Sequence, residues 1–221
     1  MKNPINYSLK TEVWPLLIIL TTIGLSLWAY PQLPGQVISH WGFNGEANGW
    51  SSKEFHSIFF PALLVAMYAL FSILPKFDPN GERYKEFAGA YLAIRNLIVS
   101  VLFIIFAAAT FYNLGYAINI GAIVSGTIGL MMIALGNYFK KLKRNWFMGI
   151  RTPWTLSSEN VWNKTHILGG RLFMLWGLSL VLAPLFAPIF AFPVIFFGII
   201  IIVAWVFIYS YVLYKREKKQ Q

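Results

Sequence analysis

Long apolar runs separated by short polar stretches dominate the chain: Val13–Tyr30, Ile58–Leu74, Tyr91–Tyr112, Ile118–Phe139, Leu168–Phe186 and Phe192–Leu213. Each approaches the roughly 20 residues that a helix needs to cross a hydrocarbon core of about 30 Å. The pattern predicts an all-α membrane protein with six transmembrane helices, forming a single membrane domain over residues 1–221. The third run contains Arg95 and Asn96 close to its start, where an arginine is expected to snorkel to the lipid headgroups. Arg171 in the fifth run reads the same way.

Two connections are long, residues 31–56 and residues 140–166, and long polar loops are where sites concentrate. Assigning loops alternately to the two sides puts Lys2, Lys10, Lys76, Arg83, Lys85, Lys140, Lys141, Lys143, Arg144, Arg151, Lys164 and the tail from Lys215 to Lys219 together. Lys53 alone falls opposite. Because Lys and Arg are retained in the cytoplasm, both termini and the 140–166 loop are expected inside the bacterial plasma membrane, and the 31–56 loop outside.

Composition agrees. Hydrophobic residues make up 57% of the 221 positions, aromatic residues 18% and charged residues 12%, and the mean hydropathy is +0.60. The net charge of +10 sits at helix ends, which makes it topological and excludes direct nucleic-acid binding. With no cysteine, disulfides, thiolate metal sites and Cys-X-X-Cys redox chemistry are excluded. The first run follows Lys2 and Lys10 as a signal peptide would. Its length, Trp14, the Trp28–Tyr30 belt and the lack of a small-residue cleavage site favour a retained helix.

Ser51-Ser52-Lys53-Glu54 has the spacing of a capping box, in which Ser51 accepts a backbone amide and Glu54 reaches back, so the second helix should start near Ser52. Before it, Gly42, Gly45 and Gly49 alternate with Trp41, Phe43 and Trp50, which suggests a folded cap over the helix ends. Ser157 or Ser158 can cap a short interfacial helix carrying Glu159, Trp162 and His166. The 75–89 connection reads as a tight turn around Asp78-Pro79-Asn80-Gly81. Gly121, Ser125 and Gly129 recur every four residues and permit close helix packing, and Pro184, Pro188 and Pro193 separate the last two helices.

Candidate chemistry is sparse. His40, Glu46, Glu54 and His56 share the external loop, but their spacing matches no metal signature, so no metal is assigned. There is no catalytic motif, no phosphate-cradling loop and no pair of intramembrane carboxylates; no catalytic residue and no cofactor are assigned. Trp41, Trp50, Trp154 and Trp162 would serve equally as interface anchors.

Two segments carry a family resemblance. Leu33 to Lys53, with its Leu-Pro, His40-Trp41, Gly45 and Gly49-Trp50, resembles the short N-terminal domain of the SdpI family, departing at Ser39 and Asn48. Asn145-Trp146-Phe147-Met148-Gly149-Ile150-Arg151-Thr152-Pro153-Trp154-Thr155-Leu156-Ser157, followed by Val161-Trp162 and Thr165-His166, resembles its signature cytoplasmic loop. That family comprises bacterial immunity proteins against a secreted sporulation-delaying toxin. The resemblance implies a binding protein that is no enzyme, with a secreted peptide toxin as external partner and a transcriptional repressor held at the membrane as cytoplasmic partner. The toxin-facing loop would then use His40, Trp41, Asn44, Gly45, Glu46, Asn48 and Trp50. The signalling loop would use Asn145, Gly149, Arg151, Thr152, Pro153, Trp154, Trp162 and His166. The alternative is a membrane transporter or exporter of a small molecule or peptide.

Overall fold

The computed structural model describes residues 3–42, 45–185 and 188–220, without the side chains of residues 188–195. Seven α-helices and one β-hairpin follow in the order α1 (Leu9–Ala29), β1 (Gln36–Trp41), β2 (Ala47–Ser52), α2 (Lys53–Phe77), α3 (Ala88–Asn113), α4 (Ile120–Phe139), α5 (Pro153–Ser157), α6 (Glu159–Leu182) and α7 (Pro188–Lys218). All but the five-residue α5 are long and apolar enough to cross a membrane, so the described residues hold six candidate spans. Every span but α4, which starts two residues inside its run, exceeds its apolar run because polar end turns continue the helix past the lipid-facing core.

Helices α1, α2 and α3 pack as a triplet; α4 joins α3 to α6, and α7 lies against α6. Residues 3–8 bind under the end of α2, where Asn3 Nδ2 and Tyr7 Oη both donate to the Ser72 carbonyl oxygen at 2.9 Å. This end, with the end of α4, the start of α6 and the end of α7, forms the terminal face. The β-hairpin caps the opposite one.

The α4–α6 contact is the tightest. A Cβ added to Gly129 would stand 2.6 Å from the Gly177 carbonyl oxygen, and one added to Gly170 would stand 2.5 Å from that of Gly136. Ser125 Oγ donates to the Leu180 carbonyl oxygen at 2.6 Å. The contact stripe is therefore Ser125, Gly129 and Gly136; Gly121, expected to share it, has only its neighbour Asn119 within reach. The stripe leans away from Gly121 because strict four-residue steps drift around a helix of 3.6 residues per turn.

Arg95 does not snorkel. Its side chain is 0% exposed. Nη1 and Nη2 donate to Glu12 Oε2 and Oε1, each at 3.0 Å, Nη2 also to the Thr11 carbonyl oxygen at 3.0 Å, and Nε to Asn96 Oδ1 at 3.1 Å. Tyr68 Oη donates to Glu12 Oε2 at 2.7 Å. A partner on another helix, invisible along the sequence, holds the cation where lipid alone would expel it. Arg171, by contrast, is exposed.

Three local expectations also change. Ser52, not Ser51, caps α2, with its Oγ accepting from the Phe55 N–H at 3.2 Å, because Ser51 is still paired with Val37 in the hairpin. The expected interfacial helix is the first turns of α6, capped by Ser158 and continuous into the span; the separate short helix is α5, capped by Thr152. Pro193 lies inside α7, so the break between the last two spans falls before Pro188.

Candidate functional site

The hairpin end is built on Asn113, the last residue of α3. Its Oδ1 accepts from the Ile38 N–H at 2.7 Å, and its Nδ2 donates to the Ile38 carbonyl oxygen at 2.9 Å. One carboxamide thus occupies the edge of β1 as a neighbouring strand would. Val37 is fully buried beneath the hairpin with Ala29 and Leu33. Gly45, at φ 81°, closes the tip, a conformation that glycine adopts without a Cβ clash.

The expected toxin-facing residues divide. Trp41 is half-buried, edge-on to Tyr112 with ring centroids 5.4 Å apart. His40 is exposed and its Nδ1–H donates to Asn48 Oδ1 at 2.5 Å. Trp50 projects outward, 59% exposed; Phe55 and Phe59, also exposed, stack in the first turns of α2 with centroids 4.8 Å apart. Glu46 is exposed at the tip, and Asn44 lies outside the described residues. His56 turns inward and is buried, its ring nitrogen Nε2 3.0 Å from Thr110 Oγ1. His40 and His56 therefore do not converge, and among the described residues no three His, Asp or Glu side chains do.

The terminal end is an interlocked scaffold. Asn145, fully buried, accepts at Oδ1 from the Phe147 and Met148 N–H groups at 3.0 and 2.7 Å and donates at Nδ2 to the Lys143 and Met148 carbonyl oxygens at 2.8 and 2.9 Å. Asp78 Oδ2 accepts from the Trp146 N–H and from Tyr84 Oη, both at 2.9 Å. Burial first, and then the Asp78 carboxylate, push the Tyr84 phenol above its usual range, so it stays a donor.

Gly149, at φ 108°, leaves no room for a Cβ against His166 Nε2. That nitrogen accepts from the Ile150 N–H at 2.9 Å, while Nδ1–H donates to the Trp162 carbonyl oxygen at 2.8 Å, which fixes a neutral ring stacked on Trp162. Trp162 Nε1 donates to the Leu142 carbonyl oxygen at 2.8 Å. Thr152 Oγ1 donates to Ser210 Oγ at 3.0 Å, and Trp154 packs on Phe207 and Tyr211, so α5 is pinned to α7. Pro153, exposed, opens α5 at its first position. The loop expected to present its signature residues outward buries Asn145, Thr152, Trp162 and His166 and exposes Arg151.

Four contributors were not singled out from sequence. Asn113, Asp78, Tyr84 and Glu217 act across 75, 68, 61 and 59 residues respectively. Glu217 accepts from Ser158 Oγ at 2.9 Å, and Arg83 forks onto Glu159 at 2.7 and 2.8 Å. Only Asp78 carried a local signal, and that signal was for a turn.

These features define a multi-pass membrane protein with a braced hairpin at one face and a hydrogen-bonded loop locking its helices at the other. Part of the chain is similar to the SdpI family. Residues 141–212 match the SdpI/YfhL protein family, and residues 17–65 match a domain of unknown function, DUF1648, which covers α1 from its third turn, the hairpin and the first half of α2. The chain is 26% identical over 169 residues to "Immunity protein SdpI" of Bacillus subtilis (strain 168), covering 76% of this chain and 79% of that protein. No solved structure matches it.

Proposed function

We propose that the protein confers immunity against a secreted, membrane-active peptide toxin, and that the hairpin face meets the toxin from outside the cell. The observation that carries this reading is the brace: Asn113 holds a two-stranded hairpin at the head of α2, with Trp50 exposed on the hairpin and Phe55 and Phe59 exposed in the first turns of that helix. An amphipathic peptide partitions to that depth, and a rigid aromatic there adds contact area at small entropic cost. The basic residues gather at the terminal face, which supports its cytoplasmic orientation. The relative's name supports immunity as the outcome. Repressor sequestration is not part of the proposal, because the signature loop spends most of its side chains on internal bonds. Transport is disfavoured by the Arg95–Glu12 pair, whose members satisfy each other.

The experiment challenges a deletion strain carrying the wild type or variants with membrane-active peptide toxins, and records survival and protein level. Trp50→Ala should lower survival at unchanged abundance. Asn113→Leu removes both hydrogen bonds to Ile38, worth roughly 1–3 kcal/mol together, so survival should fall and amide exchange at Ile38 should rise. Full survival of the Trp50 variant would remove the hairpin from the reading, and substrate flux in liposomes without saturable toxin binding would replace immunity with transport. In the cysteine-free chain, Ser39→Cys should react with an impermeant thiol reagent in intact cells and Ser157→Cys only after lysis; the reverse would invert the topology.

A further inference from the structure

The 145–151 turn is held by buried bonds, yet its two aromatic side chains face outward. Trp146 is 48% and Phe147 37% exposed, and Phe77, at the end of α2, is 66% exposed. Asp78, next in the chain to Phe77, receives the Trp146 N–H, which brings the end of α2 against the turn. Arg151 is exposed as well. Its Nη1 donates to the Trp146 carbonyl oxygen at 2.6 Å, which lays the guanidinium along the turn and leaves most of its donors unspent. Lys140 and Lys141 lie exposed at the end of α4, with Lys143 half-buried between them and the turn. Asp78 faces inward to Tyr84 and Trp146, and Glu159 is held by Arg83, so among the described residues no carboxylate pairs with Arg151.

Height is fixed too. Phe77 closes a helix of 25 residues, about 37 Å long at 1.5 Å per residue and slightly longer than a hydrocarbon core, so the turn stands at headgroup level. A soluble protein would have to reach these aromatics through the headgroups, whereas a lipid is already there.

We propose that this turn binds an anionic phospholipid, with the Arg151 guanidinium on the phosphate, Trp146, Phe147 and Phe77 against the glycerol and upper acyl region, and the neighbouring lysines selecting net negative charge. The site needs neither the toxin nor the hairpin.

The test uses the full chain in detergent with equimolar phosphatidylglycerol and phosphatidylcholine of identical acyl chains, read by native mass spectrometry. The wild type should retain phosphatidylglycerol in preference. Arg151→Gln should lower that preference about fivefold, the change set by one basic residue near a membrane surface, and Arg151→Lys, which keeps charge without the fork, should lower it less. Unfolding midpoints of both variants separate lost binding from lost fold. If Arg151→Gln does not fold, the lysine variant together with Lys141→Gln and Lys143→Gln decides. Equal retention of the two lipids by the wild type, or a preference unchanged in every folded variant, would overturn the proposal. So would displacement by inorganic phosphate, which would make the ligand a soluble anion. Finally, a bimane on Phe147→Cys in phosphatidylglycerol vesicles should be quenched by headgroup spin-labelled lipid; quenching by aqueous iodide alone would place the turn in water, where a cytoplasmic protein would be its occupant, and overturn the site.

Discussion

Replacing Arg95 by alanine should destabilise the protein by roughly 3–5 kcal/mol, the cost of leaving one member of a buried ion pair without its partner. Glu12, only 13% exposed, would keep the Tyr68 hydroxyl and lose both guanidinium bonds. The loss is an orphaned charge as much as a lost contact. Arg95→Met combined with Glu12→Gln should therefore recover much of the stability, since glutamine still accepts from Tyr68 and no charge stays buried. Unfolding midpoints of the single and double variants in one detergent measure this. Wild-type stability in Arg95→Ala would mean that the pair contributes as little as an exposed one.

A comparable loss is expected at the α4–α6 contact. Gly136→Val and Gly177→Val would drive a branched side chain into backbone carbonyl oxygens, Gly170 in the first case and Gly129 in the second. Overpacking typically costs about 1–3 kcal/mol, and these sites belong at the top of that range because the obstacle is main chain. Folded yield by size-exclusion chromatography should collapse. Gly126, with nothing within 4 Å of an added Cβ, provides the control on the same helix. Gly126→Ala should be neutral or slightly stabilising, since alanine favours helix over glycine. Equal loss at Gly126 would point to glycine content of the helix, not contact, as the sensitive quantity.

The two ends of the molecule differ in how far the chain announces them. Along the hairpin, Gly45 and the Trp50-Ser51-Ser52 approach to α2 mark a folded cap locally, but the carboxamide that braces it comes from the far end of α3. In the 140–166 loop the motif residues are legible as a set. Their direction is not: an Asn, a Thr or a His reads as available chemistry until its partners are seen, and here Asn145, Thr152 and His166 face inward.

By itself the sequence determined the six spans, their alternation and the position of the cations, because burial in lipid is a property of roughly 20 consecutive residues and needs no partner. It also carried a family resemblance in two short motifs. The tertiary structure decided which polar groups are spent inside. Arg95 finding Glu12, Asp78 finding Trp146, Asn113 finding Ile38 and Glu217 finding Ser158 are pairings between segments far apart in the chain. A lone polar residue in a span costs free energy unless it meets a partner, and whether it does depends on which helices touch and on their rotation, which no local pattern encodes.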